Sequence, residues 1–485
     1  MSQFFHRKPL PAFRHHNKAG QLVRTIGLPA LLLMGVGSTL GTGIFFVLTE
    51  TAPIAGPAVI LSFLLAAFAA GLTALCYAEV AGAIPVAGSS YTFAYMTMGE
   101  GIAVLVGACL ALEWGVAAAA VAVGWSQYLN EAILLLTGLE IPENWRVSAL
   151  QSVSAESGSV HYGNFPAMIM VWLCTLLLLR GSRQSTTINA ILTICKIAIL
   201  ALFVIMVLPV FQQDNLHPFA PAGMTGVSQA AAIVFFSFVG LDSIVTASEE
   251  AIKPEKNIPR AIIGALLIVT IIYMIVVITG LGAQPAAQFA GQSAGLAEIL
   301  LRTTTSATNA TILSIGAVVS IFSVTLIALY GQARVYFAMA RDKVLPAALG
   351  RIDKKSGTPQ LATIASAGVV TPMAGFLPSK MLWGMVSIGT LMAFITVSVA
   401  LIILRKQQPQ LKRNFKAPLY PLTPFLSILC CIYLIASLDH TVHLAFLTWV
   451  TVAMTVYGVL IQLRRLNGPD LAEHADQQSA RPSVP

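Results

Sequence analysis

Apolar residues in this chain run in long, nearly unbroken stretches, without the alternation of a half-buried strand or the narrow stripe of a surface helix. Stretches of about 20 such residues match the roughly 30 Å hydrocarbon core of a bilayer at a rise of about 1.5 Å per residue. Hydropathy predicts twelve spans, near 28–51, 57–84, 101–135, 165–180, 185–210, 225–250, 258–282, 310–340, 359–377, 381–405, 421–438 and 442–463. The connections are mostly short, and the longest, 138–164 and 283–309, lack the length of an independent domain. The expectation is an all-α integral membrane protein. A basic cytoplasmic tail covers 1–27, a single twelve-helix domain 28–463, and a Pro-, Ser- and Gln-rich tail, expected to be disordered, 464–485.

Composition agrees with lipid as the solvent. Of 485 residues 56% are apolar and 10% charged, with mean hydropathy +0.80, whereas a soluble chain carries roughly 25% charged residues. The first 24 residues are basic and polar, and the apolar stretch that follows is long enough to span and stay, so no cleavable signal is expected. The net charge of +8 is a matter of topology and not of nucleic-acid binding. With the N-terminus in the cytoplasm, 24 of the 28 lysines and arginines fall on the cytoplasmic side. Only Arg146, Arg302 and Lys380 fall outside, and Lys196 lies within a span. An even number of spans puts both termini in the cytoplasm. The six cysteines sit in apolar stretches as small core residues. His440 and His443 have only Asp439 beside them, so no metal site is expected, and no cofactor. No nucleophile constellation, phosphate-binding loop or soluble catalytic domain suggests an enzyme.

Two spans are interrupted. The first contains Gly35-Val-Gly-Ser-Thr-Leu-Gly-Thr-Gly-Ile-Phe45, and each glycine weakens a helix by about 1 kcal/mol relative to alanine. A small-residue contact face is the plainer explanation. However, Gly41 and Gly43 stand two apart and cannot share a helix face, which favours an unwound segment. The sixth span carries Phe236-Ser-Phe-Val-Gly-Leu-Asp-Ser243 at its middle. Interrupted spans at matching places in two halves point to a transporter's binding site. They suggest two five-helix inverted repeats, about 28–210 and 225–405, with two further helices at 421–463. Amides near Leu40, Gly41, Thr42 and Gly43, at the positive end of the second half-helix, suit a carboxylate. Carbonyls near Phe236, Ser237 and Val239 suit an ammonium. The ligand with both groups on one carbon is an amino acid.

These stretches resemble the amino acid–polyamine–organocation superfamily, and within it the bacterial members of the cationic amino acid transporter family. The likeness rests on Gly37-Ser-Thr-Leu-Gly-Thr-Gly-Ile-Phe45, Leu75-Cys-Tyr-Ala-Glu79, Pro85-Val-Ala-Gly-Ser-Ser-Tyr91, Leu112-Glu-Trp-Gly115, Phe235 to Asp242 with Glu249-Glu250, and Tyr330-Gly-Gln-Ala-Arg334 leading to Ala340-Arg-Asp342. In order and spacing they cover nearly the whole chain. The resemblance implies proton-linked amino acid permeation by alternating access across the cytoplasmic (inner) membrane. An amino acid exchanger without obligatory proton coupling is the alternative. Partners are the amino acid, a proton as coupling ion and the lipid bilayer. A small accessory membrane subunit is left open, and a monomer is otherwise expected.

Ionisable side chains within a span are costly and point to function. By the resemblance, Lys196 sits beside the unwound part of the first span, where sodium-coupled relatives hold a cation, so no sodium requirement is expected. It either carries the coupling proton or stands as a fixed cation holding carbonyls. Glu113, mid-span, is the expected partner of Lys196 or a second proton site. Glu79 either bonds a helix end or basic loop, or acts in gating. Asp242 is expected to cap the second half of the sixth span. Phe236 is the candidate lid. By the resemblance, Ala328 faces the substrate's side chain, leaving room for a cationic or a larger neutral amino acid.

Overall fold

A computed structural model describes residues 7, 24, 26–41, 43–85, 89–151, 161–180, 186–292, 294–304, 307–353 and 358–466. Thr42, the C-terminal tail beyond 466 and most of the N-terminal tail lie outside the described residues. Among those described, the regular elements are helices. Eight stretches are long and apolar enough to cross a membrane: Gly43–Ala83, Glu100–Thr137, Ala190–Val210, Gly223–Thr246, Pro254–Ala283, Ala307–Arg341, Ser379–Gln407 and His440–Gln462. Four shorter apolar helices accompany them, Leu28–Thr39, Phe165–Leu179, Gln360–Phe376 and Leu422–Ala436.

In chain order the helices are α1 Leu28–Thr39, α2 Gly43–Ala55, α3 Val59–Ala83, α4 Ser89–Thr97, α5 Glu100–Ala111, α6 Ala117–Thr137, α7 Glu143–Arg146, α8 Phe165–Leu179 and α9 Thr186–Val207. There follow α10 Gly223–Val234, α11 Ser243–Thr246, α12 Pro254–Ala283, α13 Gly295–Thr304, α14 Ala307–Arg341, α15 Gln360–Phe376, α16 Ser379–Gln407, α17 Leu422–Ala436 and α18 His440–Leu466. Between α5 and α6 the helix continues through a π-helical segment, Leu112–Val116, a widening that recurs at functional sites.

Small side chains decide which helices lie at the centre. The α5–α6 stretch carries Ala117 to Ala120 and Gly124, and 89% of its most apolar window is buried. In lipid, close helix approach depends on such residues, because tails solvate leucine as well as protein does. For His440–Gln462 the buried share is only 11%, and Leu444, Leu447, Val452 and Val456 are exposed on it. The inner layer is built from α1, α3, α6, α10, α12, α14 and α16, with α3 against α12, α6 against α14, and α1 between α9 and α12. Ile26 N–H donates to Glu250 O at 3.0 Å and Ile252 N–H to Ile26 O at 2.9 Å. That bridge ties the start of α1 to the chain just past α11.

Candidate functional site

Both interrupted helices are broken where glycine makes a break inexpensive. α1 ends at Thr39, Leu40 leaves helical geometry (φ −68°, ψ 65°), and α2 restarts at Gly43. α10 ends at Val234, a 3-10 turn spans Phe235–Phe238, Val239 is extended (φ −67°, ψ 143°) and Gly240 takes φ +111°. That last angle is one glycine adopts without strain. The two breaks touch. A Cβ on Gly240 would stand 2.8 Å from Ser38 O, and one on Gly43 2.7 Å from Ser237 Cα. The Ser38 hydroxyl joins them, lying 2.8 Å from Gly240 O and 2.7 Å from Ser243 Oγ. Tyr273 of α12 reaches both with one hydroxyl, 2.7 Å from Thr39 O and 2.7 Å from Ser237 O. Its single proton is shared between a carbonyl of each break, of which Thr39 O also accepts the Gly41 N–H.

Between the breaks lies a narrow cavity of about 40 Å³, room for a few waters at roughly 10–15 Å³ each. Break residues Ser38, Thr39, Gly41, Gly43, Phe236, Val239 and Gly240 line it. Glu113, Trp114, Ala117 and Val121 of the central helix and Val324, Ile327 and Ala328 of α14 complete the lining. A larger cavity of about 270 Å³, between Phe165 and Thr371, is almost wholly apolar and opens on the outer flank of α8 and α15. It offers nothing to hold a charged group and is not the site.

Of the residues singled out from sequence, Gly41, Gly43, Phe236, Val239, Ala328 and Glu113 thus meet at one cavity. Leu40 is buried outside its lining, and Ser237 sits behind Gly43. Thr42 is not described. Lys196 does not line the cavity. Its ammonium is buried beside α1, donating to Gly37 O at 2.9 Å. Glu113 does not pair with it. Glu113 lines the cavity from the π-helical segment instead, buried and without an ion pair among the described residues. Nor does Asp242 cap α11. It occupies the N-cap position, but its backbone is helical (φ −69°, ψ −14°) and no side-chain cap bond forms, because a cap needs the extended geometry that turns the carboxylate back over the amides. Both carboxylate oxygens are buried without a hydrogen-bond partner among the described residues.

Glu79 lies elsewhere, fully buried at the end of α3. Arg405 of α16 grips it with two donors, Nε at 2.8 Å from Oε1 and Nη2 on Oε2. Ala417 N–H donates to Oε2 at 2.7 Å, and Arg413 Nε stands 3.3 Å from Oε1. The contact joins the end of α3 to the last turn of α16 and the segment after it. Phe236 stacks on Trp383 of α16, with ring centroids 6.3 Å apart and planes 16° from parallel. Phe46 meets both Trp383 and Tyr128. Sequence reading passed over Tyr273, Ser38 and Trp383. For Tyr273 the signal was a lone hydroxyl in an otherwise apolar stretch, Ile271-Ile-Tyr-Met-Ile275.

A family model described as amino acid permease matches residues 26–461. The chain is 38% identical over 459 residues to the methylthioribose transporter of Bacillus subtilis, covering 94% of this chain and 97% of that protein. It is 40% identical over 436 residues to the branched-chain amino acid permease BcaP of the same organism, covering 90% and 92%. With the vacuolar cationic amino acid transporter 2 of Arabidopsis thaliana it shares 33% identity over 422 residues, 83% of this chain and 63% of the longer relative.

Proposed function

The chain belongs to the amino acid permease family, and on that footing we propose that it is a proton-coupled secondary permease for L-amino acids working by alternating access. It resides in the cytoplasmic membrane with both termini in the cytoplasm. Twelve crossings follow when α1 and α2 are read as two halves of one span and α3 as the next. The two broken spans then occupy matching places in inverted repeats, with the last two helices outside them. The observation that carries this reading is the facing of the two breaks across one cavity. Free amides at the start of α2 suit the substrate carboxylate, and carbonyls at the end of the Phe235–Phe238 turn suit its ammonium. The narrow cavity supports a resting state in which the halves are drawn together and must part to admit a ligand.

Proton coupling is assigned to Glu113 with Asp242. Glu113 lines the cavity, Asp242 is buried two residues past the Gly240 break, and no ion pair to either is found among the described residues. A buried carboxyl group without an ion partner is stabilised by binding a proton. Lys196, donating to a carbonyl of α1, serves as the fixed cation in place of a metal ion. The relatives are named for branched-chain amino acids, cationic amino acids and methylthioribose. Two of these names are amino acids, the class the two breaks suit, and Ala328 leaves room for branched or cationic side chains.

Uptake of radiolabelled alanine, leucine, lysine and arginine into sodium-free proteoliposomes tests the reading. Uptake into empty vesicles driven by an inward proton gradient is expected. Glu113→Gln is expected to abolish the gradient's effect while substrate binding stays measurable. Uptake only into amino-acid-loaded vesicles would establish an exchanger instead.

A further inference from the structure

Gln332 of α14 is fully buried, and neither its amide oxygen nor its amide nitrogen has a hydrogen-bond partner among the described residues. The Tyr336 hydroxyl is a polar neighbour, but without bond geometry. An amide with both ends open inside a membrane protein is costly and needs an explanation. Its position supplies one. Gln332 stands four residues after Ala328 on the same helix face, about 6 Å along the axis. Side chains on a helix lean toward its N-terminus, which brings the amide back toward Ala328. On the other side it abuts Gly115, where an added Cβ would stand 3.2 Å from Nε2 and 3.5 Å from Oε1. Gly115 belongs to the π-helical segment whose Glu113 and Trp114 line the cavity. Trp114 packs against Gly331 and the Gln332 amide against Gly115, so the amide lies one layer behind the cavity lining that Glu113, Trp114 and Ala328 form.

We infer that Gln332 reads the end of the substrate's side chain, and that the site takes amino acids whose long side chain ends in hydrogen-bonding atoms. The inference rests on the permease reading above and deepens it. A linear side chain reaches roughly 4–6 Å beyond its Cβ at about 1.5 Å per bond. Glutamine, lysine and arginine therefore extend past Ala328 to the amide, offering N–H to Oε1 or, for glutamine, a carbonyl to Nε2. Leucine forks one bond beyond its Cβ and has nothing to offer. A site built around polar groups rejects a ligand that leaves them unpaired more strongly than an apolar pocket rejects an extra methylene.

The test is competition against labelled alanine uptake in proteoliposomes, reading half-inhibitory concentrations of glutamine, lysine, arginine and leucine. Because the result is a ratio within one vesicle preparation, the amount of active protein cancels. Gln332→Leu is expected to weaken the polar competitors relative to leucine by about tenfold, the effect of one lost amide pair. Gln332→Glu, which keeps the side chain's volume, is expected to favour lysine and arginine over glutamine by a similar factor. Ratios within twofold of wild type in both variants overturn the inference. Where a variant takes up no label, the same ratios are read from ligand-induced melting shifts of the purified protein. Absence of alanine uptake by the wild type in either empty or loaded vesicles would instead sink the permease reading itself.

Discussion

Glu79→Gln removes one negative charge from a position with no solvent exposure, against which two guanidinium groups and one backbone amide converge. Side-chain exposure is 19% for Arg405 and 6% for Arg413, so neither can turn wholly into water when the carboxylate is lost. Glutamine keeps one acceptor, enough for the Ala417 amide or for one Arg405 nitrogen, and directs an NH2 group at the remaining donors. Breaking a buried ion pair from one side costs about 3–5 kcal/mol, and the partial exposure of Arg405 lowers that to about 2–4 kcal/mol here. The assay is the melting temperature of purified protein in detergent, with a double-mutant cycle through Arg405→Gln. A drop of several degrees is expected for Glu79→Gln, with a coupling energy of about 1–3 kcal/mol between the two sites. A variant melting within about 1 °C of wild type with negligible coupling would refute the view that this cluster pins α3 to α16 and the segment after it.

Gly240→Ala places a Cβ 2.8 Å from Ser38 O at φ +111°, strain of about 1–3 kcal/mol before any clash; lost uptake and a lower melting temperature are expected. Lys196→Met strips the donor from Gly37 O, a charge-assisted bond of about 1.5–3 kcal/mol. Net uptake and exchange are both expected to fall at least about tenfold, whereas exchange at the wild-type rate would assign the lysine to proton chemistry. Ala328→Met fills the cavity wall on α14 and is expected to narrow selectivity toward alanine and glycine in a competition panel; an unchanged panel would count against this wall facing the substrate's side chain.

Much of this protein could be read along the chain because the signals are local. Long apolar runs, the glycine cluster from Gly35 to Gly43, the single Gly240, and charges within apolar stretches each depend on a few neighbouring residues. Whether a segment is helical in lipid follows from the need to satisfy every backbone group internally, and where it breaks follows from glycine's conformational freedom. Which groups meet is another matter. Glu113 and Lys196 look like partners on paper, yet one lines the cavity between the breaks while the other meets Gly37 O. Asp242 stands at a cap position without capping. The carboxylate of Glu79 finds Arg405 across 326 positions of sequence, and Tyr273 bridges two breaks it is not part of.

These pairings depend on which face of each helix turns inward. In a water-soluble protein an amphipathic stripe marks that face. Here lipid is as apolar as the interior, so the outward and inward faces of a helix such as α12 read alike. Sequence alone therefore determined what crosses the membrane, where it is interrupted and which buried groups need partners. Only the tertiary structure decided who those partners are, because in lipid the choice is made by shape and hydrogen bonding between helices and leaves little trace in the order of residues along one of them.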